Sequence, residues 1–156
     1  MNARVAPDIS GLMLRMMDVC ARAEHSSAEI CSKLLRSGLS PSDAARIVDR
    51  LKADGFIDDC RFARAYVSDK IRFSHWGRNK IRRGLLSKGI CGSELEEALS
   101  NVDMKEYGMA LLKTATAKSK GLDLDDYHAR MRLYRSLASR GYELEYINKV
   151  IDYLRR

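Results

Sequence analysis

The residues best suited to chemistry in this 156-residue chain are the basic side chains between positions 60 and 90. This segment holds nine Lys or Arg residues and one acid, whereas the rest of the chain holds 19 basic and 20 acidic residues. The net charge of +7 therefore comes from one segment. A local excess of cations is typical of a surface that binds polyanions. The nine residues are Arg61, Arg64, Lys70, Arg72, Arg78, Lys80, Arg82, Arg83 and Lys88.

The only tryptophan, Trp76, lies within the same segment, in the stretch DKIRFSHWGRNKIRRGLLSKGI. An aromatic ring among cations can serve as a platform for a nucleic-acid base or as an anchor in a protein interface. A large aromatic residue more commonly packs against its own domain, so we expect Trp76 to cover the end of its module. Both interpretations stay open at this point.

The sequence contains none of the motifs that indicate catalysis. There is no glycine-rich phosphate loop, no metal-ligand spacing and no nucleophile–base arrangement. The four cysteines, Cys20, Cys31, Cys60 and Cys91, form no CxxC pair, and we expect reduced thiols. We predict a protein that is not an enzyme and that holds no cofactor and no metal.

The elements that must position the basic residues come from a repeat of 51 to 52 residues. Gly38, Gly89 and Gly141 align three segments, in each of which apolar residues recur four and eight positions before the glycine. Further apolar residues follow it at helical spacing. A glycine between two such faces is typical of a helix end, where positive φ is needed. Each repeat therefore predicts a helix, a glycine turn and a second helix.

A further amphipathic segment precedes each of these pairs, and we predict an all-α fold of three tandem three-helix modules in an elongated, curved array. Ser26 and Glu29 form a capping box, and Asp58 or Asp59 caps the next module. The methionines Met13, Met16, Met17 and Met109 are expected to fill the core. The expected division is a flexible segment at 1–9 and modules at 10–57, 58–103 (basic) and 104–156.

The middle module differs from the others at the start of its second helix, which opens with Arg78 and Lys80. Cations at a helix N-terminus are unfavourable unless an anion lies beside them, so we expect a phosphate or a partner's acid there. Ile81, Leu85 and Leu86 are expected to face inward, which turns Lys80, Arg83 and Ser87 outward. Gly84 would lie on this outer face, either open to a close approach from outside or merely tolerated. On the preceding helix, Arg61, Arg64, Ser68 and Arg72 form a second basic stripe, and we expect the two adjacent stripes to have almost no counter-charges.

The stretch from Leu51 to Ile90 resembles the RecX family of bacterial recombinase regulators. The matching residues include Gly55-Phe56-Ile57-Asp58-Asp59, Arg61-Phe62-Ala63, Tyr66-Val67, Gly77, Ile81, Leu85 and Gly89-Ile90. Upstream, ARAEHSSAEICSKLLRSG looks like the first-module segment of that family. The resemblance spans about residues 12–156 and is weakest in the third module. The chain departs from the family pattern at His75, Trp76 and Arg78.

The resemblance implies a cytoplasmic, non-enzymatic regulator that binds the filament of RecA recombinase on DNA and inhibits its ATPase and strand exchange in recombination and DNA repair. It also implies DNA contacts, which we expect to be mainly to phosphates. From the tandem modules and the short apolar runs of the sequence we further expect a monomer that does not bind membranes. The residues expected to meet RecA or DNA are Arg61, Arg64, Arg72, Trp76, Arg78, Lys80, Arg82, Arg83 and Lys88. Reversing the charges of Arg78, Lys80 and Arg83 should weaken binding without loss of helicity.

The alternative function is a helix-turn-helix-like regulator that reads DNA sequence, since a glycine turn between two helices resembles that motif. Against it, the same turn occurs three times and only one copy is basic.

Overall fold

The computed structural model describes residues 5–156, and in this range the chain forms nine α-helices and no β-strand. The predicted all-α fold of three tandem three-helix modules is therefore confirmed. The helices are α1 Ile9–Arg22, α2 Ser27–Arg36, α3 Pro41–Ala53, α4 Asp59–Arg72, α5 Arg78–Ser87, α6 Gly92–Ser100, α7 Met104–Ser119, α8 Tyr127–Ser139 and α9 Leu144–Leu154.

The ends of the modules lie in short connections between helices. α3 ends at Ala53 and α4 begins at Asp59, and α6 ends at Ser100 before α7 begins at Met104. Of the N-terminal segment expected at 1–9, residues 1–4 lie outside the described range. Residues 5–8 are exposed, and the Asp8 side chain caps α1 by accepting a hydrogen bond from Gly11 N–H.

The three glycine turns have the predicted conformation. Gly38, Gly89 and Gly141 have φ of 93°, 78° and 95°, a region that favours glycine. In each turn the residue after the glycine donates its N–H to a carbonyl five residues back, which closes the helix end. That following residue is also buried, which the sequence patterns did not reveal; the three are Leu39, Ile90 and Tyr142.

The buried side chains form two separate cores. α1–α3 enclose one core, whereas α4–α9 share a single continuous core that runs through the second and third modules. The apolar positions predicted from the repeat are largely buried, including Ile30, Ile81 and Leu133 at 1% exposure or less. Two predicted core residues are corrected: Met109 is 63% exposed and Leu86 is 50% exposed, because each points away from the helix face that packs.

The accessible surface also fits a chain that is not a compact sphere. It amounts to 9793 Å², whereas a compact monomer of this mass exposes roughly 7,900 Å² by general scaling. Two cores arranged along the chain leave more surface exposed than one central core, in agreement with the predicted elongated array. Among the described helices, none combines the length and apolarity needed to cross a lipid bilayer.

Candidate basic surface of the middle module

The anion beside the start of α5 is a carboxylate of the third module, that of Glu143. Arg78 Nε donates a 2.5 Å hydrogen bond to Glu143 Oε1, and the Tyr107 hydroxyl donates to Glu143 Oε2, also at 2.5 Å. The backbone N–H of Arg78 donates to the Tyr107 hydroxyl at 3.0 Å. The phosphate or partner acid expected beside Arg78 is thus corrected to Glu143 of the same chain, 65 residues away in sequence.

The electrostatics of this group follow from its partial burial. Burial alone lowers the pKa of Arg78, but the hydrogen bond and charge of Glu143 outweigh it and hold that pKa above its ordinary value. Burial and the acceptor Glu143 raise the pKa of Tyr107. The pair is therefore a charged, shielded contact between modules two and three, and Arg78 has little freedom to meet an outside partner.

Most of the other basic residues in the segment are also paired with acids of the same chain. The expectation of two stripes almost without counter-charges is corrected, because acids from other helices and from the connection between α1 and α2 pair with them. The pairs are Arg61 with Glu24 at 2.5 Å, Arg64 with Glu97 at 3.8 Å, Arg72 with Glu106 at 2.9 Å, Arg82 with Glu96, and Lys88 with Glu29 at 2.6 Å.

Three cations of the segment make no ion pair within residues 5–156: Lys70, Lys80 and Arg83. Lys70 Nζ lies 4.5 Å and Lys80 Nζ 4.4 Å from the centre of the Trp76 ring. Arg83 follows Lys80 by three residues on α5 and is exposed, so the two lie on neighbouring positions of one helix face. We call Lys70, Lys80 and Arg83, together with Trp76, the basic surface.

Trp76 has features of both roles considered from the sequence, packing over the end of its module and contact with a binding partner. Its ring is half-buried against the core shared by modules two and three, as packing over the module end requires. Its remaining surface carries the two lysine ammonium groups, which a ring attracts through its quadrupole. The ring therefore orients the two lysines, which would compete with a base for the same aromatic surface.

The loop that carries Trp76 is held by the third module. His75 has φ of 51°, and its ring contacts Thr114 Oγ1 at 3.2 Å. The Tyr142 hydroxyl donates to the His75 carbonyl at 2.9 Å, and burial raises the pKa of Tyr142 to about 12, which keeps this donor protonated. Gly77 N–H donates to the Arg140 carbonyl at 2.8 Å. Module three thus fixes the loop from which Trp76 and α5 emerge.

Gly84 has a role that differs from both expectations. A Cβ at this position would collide with the Tyr66 hydroxyl, so the glycine allows Tyr66 of α4 to approach α5 closely. The approach comes from within the chain rather than from an outside partner. Ser87, in contrast, is exposed, as expected for the outer face.

Module one is attached to module two by polar contacts rather than by a shared core. Ser26 caps α2 by accepting from Glu29 N–H, as predicted, and its hydroxyl also donates to the Lys88 carbonyl at 2.7 Å. Asp58 caps α4, whereas Asp59 accepts hydrogen bonds from the backbone and hydroxyl of Ser27 at 2.8 and 2.6 Å. Asp59, Lys88 and Arg61 therefore lie at the junction of modules one and two.

The predicted site residues consequently divide into three groups. Trp76, Lys80 and Arg83 lie together in the basic surface, with Lys70 added. Arg61 and Lys88 lie at the junction with module one. The remaining residues, Arg64, Arg72, Arg78 and Arg82, are held in ion pairs on the outer face of module two or at the junction with module three.

The sequence analysis missed the residues of other modules that complete these contacts. Glu143, Tyr107 and Asp59 are separated from their partners by 29 to 65 residues, and no local pattern links them. No group of three or more His, Cys, Asp or Glu side chains in the described residues is placed to hold a metal ion.

Comparisons with known proteins agree on one family. The family model described as "RecX, second three-helix domain" matches residues 58–99, the middle module. The regulatory protein RecX of Chlorobium phaeobacteroides (strain BS1) is 35% identical over 133 residues, which cover 85% of this chain and 86% of that protein. The regulatory protein RecX of Prosthecochloris aestuarii (strain DSM 271 / SK 413) is 34% identical, with 84% and 85% covered.

Solved structures show the same fold. The crystal structure of RecX from Lactobacillus salivarius superposes with a TM-score of 0.85 at 22% identity, over 96% of this chain and 98% of that one. A second crystal structure, of a regulatory protein RecX, gives a TM-score of 0.81 at 20% identity, over 92% of this chain and 71% of that one. Together with the sequence relatives, these likenesses place the chain in the RecX family of regulatory proteins.

Proposed function

We propose that this protein regulates the RecA recombinase by binding the RecA–DNA filament and slowing its ATP turnover and strand exchange in recombination and DNA repair. RecA as the partner follows from the resemblance to the RecX family. The protein acts as a monomer in the cytoplasm, and the three modules at 10–57, 58–103 and 104–156 lie along the filament as successive units. Contacts to DNA are mainly to phosphates.

The observation that carries the proposal is the basic surface. Lys70, Lys80 and Arg83 lack an acidic partner in the described part of the chain, although the surrounding cations are paired. Unpaired cations close together are the groups that gain most from a phosphate or a partner's carboxylate, since no internal ion pair must be broken. We therefore assign Lys80 and Arg83 as the main filament contacts, with Lys70 and Trp76 beside them.

The paired residues take a different part in the proposal. Arg61, Arg72, Arg78 and Lys88 pair with acids of another module and so hold the modules in register. Arg64 and Arg82 pair with Glu97 and Glu96 within module two. A partner that recruited any of these cations would first have to displace its acid. This leaves fewer direct contacts than the count of basic residues suggests.

The ATPase rate of RecA filaments on single-stranded DNA tests the proposal. We expect the rate to fall as folded protein is added and expect no ATP hydrolysis by the protein alone. An unchanged RecA rate at saturating protein would contradict the proposal. Sequence-dependent binding to duplex DNA without any effect on RecA would favour the helix-turn-helix alternative instead.

A further inference from the structure

A cleft of about 360 Å³ opens between modules one and two. One wall is α2, which contributes Ser32, Lys33 and Arg36, and the other is the C-terminal end of α5 with Ser87 and Lys88. The cleft lies on the polar junction and is separate from the basic surface on Trp76. Nothing in the comparisons assigns a ligand to it.

The charges within the cleft are unbalanced. Glu29 is its only acid, and that carboxylate is already engaged by Lys88 Nζ at 2.6 Å, by the His25 ring at 3.3 Å and by Ser26 N–H at 3.2 Å. Burial raises the pKa of Glu29, but these hydrogen bonds outweigh it and the net pKa lies below its ordinary value. The carboxylate thus stays charged and neutralises Lys88 only.

Two cations of the cleft are left without an acid in the described residues. Lys33 makes no ion pair, and Arg36 Nε donates only to the backbone carbonyl of Ser32 at 3.3 Å. The two lie three residues apart on α2, the same spacing that separates Lys80 and Arg83 on α5. With the Ser32 hydroxyl beside them, these groups offer hydrogen-bond donors to an anion. The Ser87 hydroxyl adds no free donor, because it already donates to the Gly84 carbonyl at 2.6 Å.

The lining also indicates what kind of anion fits. Ala28 is the only apolar side chain of the cleft, so it lacks the aromatic or large aliphatic anchor that a protein partner would need. The cleft and the basic surface lie on the same helix α5, and Arg83 precedes Ser87 by one helical turn, roughly 6 Å along the axis. A flexible polyanion can follow such a row of donors, whereas a folded partner needs apolar burial.

We propose that the cleft between α2 and α5 binds the phosphodiester backbone of a nucleic acid strand, through Lys33 and Arg36, and that the same strand continues over Lys80 and Arg83. The inference rests on the proposed function for its second half, the use of the Lys80–Arg83 face. Module one then contributes to binding directly rather than serving only as a spacer. The ion pair between Glu29 and Lys88 holds the two halves of the path in line.

The test is binding of a fluorescein-labelled single-stranded oligothymidylate, measured by anisotropy at several salt concentrations and without RecA. A homopolymer removes base pairing and sequence readout. The variant K33Q/R36Q is compared with K113Q/K118Q, which removes two exposed cations of α7 that make no ion pair with residues 5–156. Circular dichroism establishes that both variants keep the helicity of the parent.

We expect K33Q/R36Q to lower the slope of log K against log salt by about 1.4, at roughly 0.7 per lost phosphate contact, with K113Q/K118Q close to the parent. Equal slopes for the two variants would overturn the proposal. So would a parent that slows RecA filaments but does not bind the oligonucleotide, an outcome that would leave the proposed function standing. Oligonucleotide binding that depends on Lys33 and Arg36 without any effect on RecA would support the cleft and contradict the proposed function.

Discussion

The backbone of Gly77 packs directly against the backbone of Gly141, with Gly77 N–H donating to the Arg140 carbonyl at 2.8 Å and Asn79 N–H donating to Gly141 at 2.9 Å. This contact joins the loop before α5 to the turn between α8 and α9. Any Cβ at Gly77 would overlap the main chain of Gly141 and Tyr142. The start of α5, and with it the position of Lys80, is therefore set by module three.

Replacing Gly77 by alanine should disrupt the contact between the backbones of Gly77 and Gly141. The φ of −82° suits alanine, so the cost arises from overlap with main chain that cannot move aside easily. We expect a loss of about 2–3 kcal/mol in the free energy of unfolding, within the range for overpacked sites. Urea unfolding followed by circular dichroism measures it.

Gly108→Ala provides the control for Gly77→Ala. Gly108 lies within α7 with open space around its Cα, so alanine there should stabilise the protein by about 0.5–1 kcal/mol. Equal stability of the two variants would show that the Gly77 contact is loose.

Arg78→Glu should destabilise the protein, contrary to the expectation from the sequence that charge reversal at Arg78 leaves the fold intact. Arg78 is 27% exposed and its partner Glu143 is 26% exposed, so the variant would set two carboxylates side by side in a shielded place. We expect a loss of about 2–3 kcal/mol in unfolding free energy, less than the 3–5 kcal/mol typical of a fully buried pair. Thermal melting followed by circular dichroism measures the change.

Arg83→Glu is the matched reversal on the same helix. Arg83 is exposed and makes no ion pair within the described residues, so the melting temperature of the Arg83→Glu variant should stay close to that of the parent. A melting temperature for Arg78→Glu that equals that of Arg83→Glu would contradict the role assigned to Glu143.

Trp76→Ala should lower the melting temperature because the ring is part of the core boundary. A fully buried tryptophan contributes about 3–5 kcal/mol on truncation to alanine, and the half-buried Trp76 should contribute about 2 kcal/mol. Trp76→Phe keeps an aromatic ring for Lys70 and Lys80 and should lose less. If Trp76→Ala melts like the parent but no longer binds RecA filaments, the residue is a binding platform rather than a packing residue.

The ion pair between Glu29 and Lys88 should make the junction of modules one and two sensitive to acid. Burial alone raises the pKa of Glu29, but the hydrogen bonds from Lys88 and Ser26 lower it by more than burial raises it. The pKa of Glu29 in the folded protein therefore lies below that in the unfolded chain. A lowered folded pKa contributes stability that is present above the unfolded value and is lost as the pH falls through the folded value. The unfolding free energy should therefore decrease as the pH falls below about 4.3, the ordinary pKa of a glutamate side chain.

Glu29→Gln should remove this component of the pH dependence. Together with Lys88→Met and the double variant it forms a thermodynamic cycle, for which we expect a coupling of about 0.5–1 kcal/mol at neutral pH, because Lys88 is substantially exposed. A coupling of zero, or a pH dependence unaltered in Glu29→Gln, would show that the junction does not depend on this pair.

The sequence predicted the repeat well because its signals are local. A glycine turn, such as that at Gly89, depends on residues within one helical turn, and the capping box of Ser26 and Glu29 spans four residues. The apolar period likewise identified the buried face of each second and third helix. Leu86 and Met109 were misplaced because apolar residues also occur on exposed faces, and period alone does not tell which helix has a neighbour there.

The site was predicted less well because its contacts join distant parts of the chain. A count of charges along the sequence marked nine cations in the segment, but whether a cation is free depends on acids brought to it by folding. Arg78 and Glu143 belong to different modules, and no sequence pattern near either residue predicts their contact. The sequence therefore located the surface, whereas only the folded chain separates Lys80 and Arg83 from the paired arginines.

The most direct test of the central claim is a titration of RecA filament ATPase with the parent protein, with K80E/R83E and with the control K113E/K118E. The account predicts that the parent and the control slow ATP turnover at similar concentrations, while K80E/R83E, with unchanged helicity, requires at least tenfold more protein. Inhibition by K80E/R83E at the concentration of the parent, or no inhibition by the parent at all, would contradict the account.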